Sequence, residues 1–262
     1  MLQRKHPQMV DFRYNQIMAE SHQSTLQRMA ILSGVPIFAG LTVAEMEKTT
    51  AAAQIRRVDA GAYFFLQGDP ADRLYILLAG RLKMTQLSVD GQRVIMQLLG
   101  PGSLFGAVAL AQVETYPVSA EAAESCEAAC WRKIDLMNLV LAIPRLGLNA
   151  MQMMANHVQD FQERFRQLAT ERVERRLAHA LLRLAAQTGT KIPEGVLINM
   201  PLSRQDLAEM TGTTLFTVSR ILKQWEGEGL VILGREKVII RYPHGLVSIA
   251  EDLPRPGGET AG

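Results

Sequence analysis

From Arg57 to Ile134 the apolar residues come in short or alternating runs, cut by Asp59-Ala-Gly61, Gly68-Asp-Pro70, Gly80, Asp90-Gly91, Gly100-Pro-Gly102 and Gly106. Turn residues at roughly every 8–12 positions predict an all-β sandwich or barrel. Tyr75 to Ala79 and Arg81 to Met84 read as strands on either side of Gly80, and Val89 to Gln92 as the turn of a hairpin into Val94 to Leu99. A compact β-roll fits this pattern; small barrels hold either a ligand or only their own side chains. Beyond Pro144 the period lengthens to that of a helix, expected to run through at least Arg176. Met151, Met154, Val158, Phe161, Phe165 and Leu168 lie 3, 4, 3, 4 and 3 residues apart, with Gln162, Glu163, Arg164 and Arg166 beside them. A stripe with a period of about 3.5 residues is narrower than an ordinary core face. It predicts a seam between two copies of the chain rather than one helix laid on its own β-domain.

Val173 to Gln187 follows as an amphipathic helix on Leu177, Leu181, Leu182 and Leu184, and Gly189 to Pro201 reads as a connection. Leu202 to Glu226 then reads as two short helices around a tight turn. Ser203 with Asp206 three residues on is a capping-box start, Leu207, Ala208 and Met210 give an apolar face, and Gly212 breaks the helix. Thr213 or Thr214 can cap a second helix whose apolar positions are Leu215, Val218, Ile221, Leu222 and Trp225. Thr217, Ser219, Arg220 and Lys223 take its other face. Gly229 to Leu233 and Lys237 to Arg241, around Gly234-Arg-Glu, predict a hairpin, the wing of a winged helix-turn-helix. Near the start of the chain, Thr42 with Glu45 marks a short helix. The expected divisions are an N-terminal extension (1–30) without sustained period, a β-roll (31–143), a dimerisation helix (144–170), a winged helix-turn-helix domain (171–245) and a frayed tail (246–262). The fold class is α+β, with a jelly-roll-like β-domain ahead of a DNA-reading domain.

Composition narrows the function. A chain of 262 residues, 48% hydrophobic, has room for two cores. No apolar run approaches the roughly 20 residues of a membrane span, and MLQRKHPQMVDFRYNQ lacks a signal peptide's apolar centre, so a cytoplasmic location and no membrane partner are expected. Cys126 and Cys130 are read as reduced, buried thiols. The net charge is only +2, yet residues 171–241 carry 11 Lys or Arg against 8 Asp or Glu, a slight basic bias where DNA contact is expected. Arg220 can donate twice to a guanine edge, while Thr214, Thr217 and Lys223 suit phosphate oxygens. No histidine stands between His22 and His157, which removes a cupin-type metal site, and no Ser-His-Asp spacing, Walker loop or paired-carboxylate site occurs. Neither catalytic residues nor metal ligands are expected, and the chain is read as no enzyme.

Three blocks, GDPADRLYILLAGRLKM (Gly68 to Met84), DGQRVIMQLLGPGSLFG (Asp90 to Gly106) and LSRQDLAEMTGTTLFTVSRIL (Leu202 to Leu222), stand in an order and spacing that resembles the Crp/Fnr family of bacterial transcription regulators. The resemblance covers nearly all of the chain after residue 30. It implies an effector-binding roll, a homodimer, a winged helix-turn-helix on a palindromic operator in double-stranded DNA, and cooperation with RNA polymerase. The implied DNA-binding set is Ser203, Arg204, Gln205, Thr214, Leu215, Phe216, Thr217, Ser219, Arg220 and Lys223. Leu215 and Phe216 depart from the arginine and glutamate of cyclic-AMP-responsive members, which leaves base contacts fewer and more apolar.

The implied pocket departs too. Where those members bind the ribose through a glutamate and the cyclic phosphate through an Arg-Ser pair, this chain has Ala107, Val118 and Ser119. A phosphate without its cation forgoes charge-assisted bonds of roughly 1.5–3 kcal/mol each, so cyclic AMP in the usual mode is disfavoured. The absence of any cysteine before Cys126 excludes the iron–sulfur cluster of the oxygen-sensing branch. What remains is a pocket of Met84, Met96, Leu98, Leu104, Phe105, Gly106, Ala107, Val108, Val118 and Ser119, compatible with haem, another apolar ligand or none. His157 is the candidate axial ligand. The alternatives are a haem- or redox-based gas sensor of the same family, or an interaction module that binds no DNA.

Overall fold

The structure, a computed structural model, describes residues 27–88, 91, 93–111 and 113–253. The expected N-terminal arm as far as residue 26, the turn residues Val89, Asp90 and Gln92, and the tail beyond 253 lie outside the described residues.

Among the described residues, eight strands form the roll: β1 (Gln54–Val58), β2 (Tyr63–Phe65), β3 (Arg73–Ala79), β4 (Leu82–Leu87), β5 (Arg93–Leu99), β6 (Leu104–Phe105), β7 (Ser119–Ala122) and β8 (Cys126–Arg132). They pair antiparallel in two four-stranded sheets, ordered β1-β8-β3-β6 and β2-β7-β4-β5. The chain passes from one sheet to the other at Gly80, whose φ of 87° suits glycine. A Cβ there would stand 2.6 Å from both Cys126 Sγ and Ser125 O, so no other residue fits without a shift. β3 is buried on both faces because Tyr75 and Leu77 face the roll interior while Leu74, Ile76 and Leu78 face a second cluster. That second cluster is closed by Phe38 of a 3-10 turn (Pro36–Phe38), Trp131, and Leu136, Leu139 and Leu146. Trp131 donates its indole N–H to the Thr49 carbonyl at 2.8 Å, which ties it to the helix lead-in. The lead-in comprises α1 (residues 27–33) and α2 (Val43–Ala51), the latter closed by the expected Thr42/Glu45 capping box.

α3 (Lys133–Ala142) leads into α4 (Pro144–Thr170). The expected continuation through Arg176 fails: Glu171 is extended (φ −104°, ψ 148°) and α5 (Val173–Thr188) begins afresh. The break carries no glycine or proline. It is held by charge, since the Glu171 carboxylate, 1% exposed, meets Arg166 at 3.2 Å, Arg175 at 3.8 Å and His179 at 3.5 Å.

The second domain differs from expectation at both ends. Gly189 to Pro201 is not a plain connection but a hairpin, β9 (Gly189–Ile192) and β10 (Gly195–Ile198), followed by a short link to Ser203. It joins the wing strands β11 (Val231–Gly234) and β12 (Lys237–Ile240) in one sheet ordered β11-β12-β10-β9. The start of the tail is not frayed: α8 (Pro243–Ala250) buries Leu246 and Ala250 in the domain core. Pro243 opens that helix, and Gly245 allows its close contact with Leu230 and Tyr242. Between these elements lie α6 (Arg204–Thr211) and α7 (Leu215–Gly227). Among the described residues, no single helix is long and apolar enough to cross a membrane.

Candidate nucleic-acid interface and sensor roll

The reading unit is built as its sequence implies. The Ser203 hydroxyl accepts from the Asp206 amide at 3.0 Å, and the Asp206 carboxylate accepts from the Ser203 amide at 3.0 Å. Gly212 ends α6 in the left-handed conformation (φ 61°, ψ 49°), and Thr214 caps α7 by accepting from the Thr217 amide at 3.2 Å. Val218, Ile221, Leu222 and Trp225 are buried, which fixes the rotation of α7 on its domain. Leu215 corrects the sequence reading of that face: in the helix's first turn, past the edge of its packing partners, it is 48% exposed. Phe216 is 76% exposed, and with Arg220 and Lys223 it forms an open stripe at four- and three-residue spacing. Thr217 and Ser219 flank the stripe half-buried, and Ser203 and Arg204 at the start of α6 are half-buried too. Gln205 is exposed and donates to Glu209 at 3.0 Å.

Contacts absent from the sequence reading seat this unit on the roll. Lys83 of β4 reaches Asp206 at 2.7 Å, with side chains only 16% and 7% exposed. Arg93 of β5 bridges Glu121 at 2.9 Å and Glu209 at 3.5 Å, and Arg81 donates to the Asn199 carbonyl at 2.9 Å. Ile95 and Leu98 of β5 complete the core of the second domain. At the α4–α5 break, Arg176 donates to the Glu171 carbonyl at 2.7 Å and to the Thr211 carbonyl at 3.0 Å, tying the hinge to the end of α6. Beside the break, hydrogen bonding from Arg166 holds the Glu163 carboxyl down to about 2.

The six seam residues of α4 are 45–71% exposed in the single chain, and only Leu146 and Gln167 of that helix are buried. The roll therefore does not cover this face.

The pocket residues divide. Met84, Phe105, Val108 and Val118 do pack in the roll interior. Leu98 does not: it faces the second domain, and Met96 beside it is exposed, its carbonyl accepting from Arg164 at 2.7 Å. Leu104 and Ala107 pack outward, in the cluster around Trp131. A β-bulge between Met84 and Thr85 shifts the β4–β5 register, and one residue of shift exchanges the faces of a strand. Gly106 is left-handed (φ 71°), and a Cβ there would stand 2.9 Å from the Arg73 carbonyl. The Ser119 hydroxyl is already engaged, accepting from the Gln67 amide at 2.9 Å.

Aromatic rings occupy the interior; of these the sequence reading named Phe105 but missed Phe64 and Phe65, although they adjoin in a strand run, and Tyr75 and Tyr116. Phe65 stacks on Tyr116 at 3.7 Å and Tyr75 on Phe105 at 4.9 Å, while Phe64 meets Phe105 edge-on at 5.3 Å. Arg56 lies over the Phe64 ring at 5.7 Å and donates to the Tyr75 hydroxyl at 3.0 Å. The Tyr116 hydroxyl donates to the Arg73 carbonyl at 2.7 Å, and burial pushes its phenol far above the usual range. Both cysteines are free and buried, and burial raises the Cys126 thiol, which keeps it protonated and unreactive. His157 is exposed on α4, and no group of three metal-ligating side chains occurs among the described residues.

Known proteins match both halves. A family model described as a cyclic nucleotide-binding domain matches residues 55–142, and one described as a Crp-like helix-turn-helix domain matches residues 175–249. The cyclic AMP receptor protein of Thermus thermophilus is 30% identical over 222 residues, 85% of this chain and 100% of that relative. The global nitrogen regulator of Synechococcus elongatus is 26% identical over 208 residues, 74% of this chain and 88% of the relative. The solved structure of the c-di-GMP responsive global regulator CLP of Xanthomonas campestris shares the fold at a TM-score of 0.66 and 22% identity, over 76% of this chain and 99% of that one. With a sensor roll, a long connecting helix and a Crp-like reading unit in this order, the chain belongs to the Crp/Fnr family of DNA-binding transcription regulators.

Proposed function

We propose that two copies of this regulator pair along α4 and set two α7 helices on the half-sites of a palindromic operator in double-stranded DNA. The observation that carries the reading is the open stripe of Phe216, Arg220 and Lys223 on a helix whose opposite face is fully buried. Arg220 suits a guanine edge, and Lys223, Thr214 and Thr217 suit phosphates. Leu215 and Ser219 border the base-reading stripe, and Ser203, Arg204 and Gln205 belong to the first helix, which crosses the backbone in this motif. The dimer works with RNA polymerase in the cytoplasm and catalyses no reaction. Affinity for a duplex selected from a random library is expected to fall roughly 10³-fold or more between 50 and 200 mM salt, and Arg220→Ala to cost about 1–3 kcal/mol at one base position. Absent or salt-insensitive binding would sink this reading, and binding untouched by Arg220→Ala would favour an interaction module.

The signal in this reading is not cyclic AMP, although the Thermus relative is named for that nucleotide. Ala107 and Val118 offer no charge to ribose or phosphate, the Ser119 hydroxyl is engaged, and five rings fill the interior. Haem finds no histidine within the roll, and His157, the candidate axial ligand, is exposed on α4. Cyclic AMP at about 1 mM is expected to leave the melting temperature unchanged, whereas saturation at 100 times Kd would stabilise by about 2.7 kcal/mol. A clear shift at micromolar nucleotide would overturn the assignment.

A further inference from the structure

We infer that Phe216 is a specificity-determining residue that reads the 5-methyl group of a thymine in each operator half-site. The inference rests on the DNA-binding reading above and deepens it. Phe216 is the second residue of α7, next to Leu215, and the two put adjacent apolar side chains, 76% and 48% exposed, at the N-terminal tip of the reading helix. Among the described residues none uses the ring: the helix is capped by Thr214, and its packing is made by Val218, Ile221, Leu222 and Trp225. N-terminal residues of a recognition helix are the ones that reach base edges in the major groove. Of the groups displayed there only the thymine methyl is apolar, and a phenyl ring offers no donor or acceptor for the rest.

Spacing makes the inference specific. Arg220 lies four residues further along the same stripe, about 6 Å along the helix axis at about 1.5 Å per residue. Base pairs rise by about 3.4 Å, so, whatever the tilt of α7 in the groove, the thymine read by Phe216 stands within about two base-pair steps of the guanine read by Arg220. The discrimination expected is that of one buried methyl group, about fourfold per half-site, which corresponds to about 0.8 kcal/mol.

The test uses the full-length protein and the duplex it selects from a random library. Each thymine of the half-site is replaced in turn by uracil, which removes the methyl and keeps the Watson–Crick edge. The expected result is one sensitive thymine, within about two steps of the Arg220-dependent guanine, where uracil in both half-sites weakens binding about sixteenfold. Phe216→Ala abolishes that difference, while Arg220→Ala lowers affinity and leaves it in place. The ring is exposed, so Phe216→Ala leaves the fold intact, which its circular dichroism verifies. Tight binding with no uracil-sensitive position, a selected site without thymine within about two steps of that guanine, or a uracil effect that survives Phe216→Ala would each overturn the inference. Failure to bind any duplex would instead bring down the DNA-binding reading on which it rests.

Discussion

Phe161→Glu is expected to sediment as a monomer at micromolar concentration and to lose at least about 100-fold in operator affinity, with its circular dichroism unchanged. Phe161 is 55% exposed, in the middle of a seam whose other five members are likewise open in the single chain. Six apolar side chains in line on a 27-residue helix, with only Leu146 and Gln167 of that helix buried, call for a partner surface. A parallel pair related by a two-fold axis sets each seam residue against its own copy. Glutamate at this position then brings two carboxylates together in a desolvated layer, at a cost of several kcal/mol per ion. The loss of DNA affinity follows from valence, since a dimer that holds two half-sites gains roughly 10²–10⁴ over one reading head. Gln162→Glu, one residue off the seam, is the matched control and stays dimeric. An unchanged mass for Phe161→Glu would remove α4 as the dimer interface.

The same seam illustrates what residue patterns carry and where they stop. A strict heptad needs no knowledge of the rest of the fold, so the α4 stripe was legible, as were the capping boxes at Thr42 and Ser203 and the turn at Gly212, whose signals lie within a few residues. The break at Glu171 was not legible. Helix periodicity continues across it, and what stops the helix is a buried carboxylate among Arg166, Arg175 and His179, a long-range arrangement with no local mark. β9 failed for another reason: Gly189, Thr190 and Lys191 are exposed, so this edge strand shows no alternation. α8 was missed because fraying was read from the Pro, Gly and acidic residues at the end of the tail, whereas Pro243 and Gly245, ahead of that stretch, open the helix and let it pack closely. The pocket was read by sequence neighbourhood, but strand alternation sets opposite faces for Leu98, which pairs with Lys83 and faces the reading domain, and Leu99, which pairs with Leu82 and faces the roll. The bulge at Met96 then lets Ile95 join Leu98 on the same face. The phenylalanines and tyrosines that fill the roll come from β2, β3, β6 and the segment before β7, elements that only the folded sheets bring together.

Asp206→Ala is expected to lower stability by about 3 kcal/mol, the largest effect of any single change at the junction of the two domains. One carboxylate serves two structures there. Its Oδ2 accepts from the Ser203 amide at 3.0 Å and completes the capping box of α6, while its Oδ1 takes the Lys83 ammonium of the roll at 2.7 Å. Loss of a cap costs about 1 kcal/mol. Loss of the ion pair adds more, because Lys83 is only 16% exposed and its ammonium is left without a counter-charge in a poorly hydrated place. The full 3–5 kcal/mol of breaking a buried pair is not reached, since water still touches that side chain. Lys83→Met separates the two contributions: it removes the ion pair and keeps the cap, so it costs less than Asp206→Ala. The double variant costs less than the sum of the two, by about 1 kcal/mol or more of coupling in a denaturation cycle. Additive losses in that cycle would show that Asp206 acts on α6 alone. The junction would then rest on Ile95, Leu98 and the Arg93 bridge, and the roll and reading domain would keep their relative positions without the Lys83 pair.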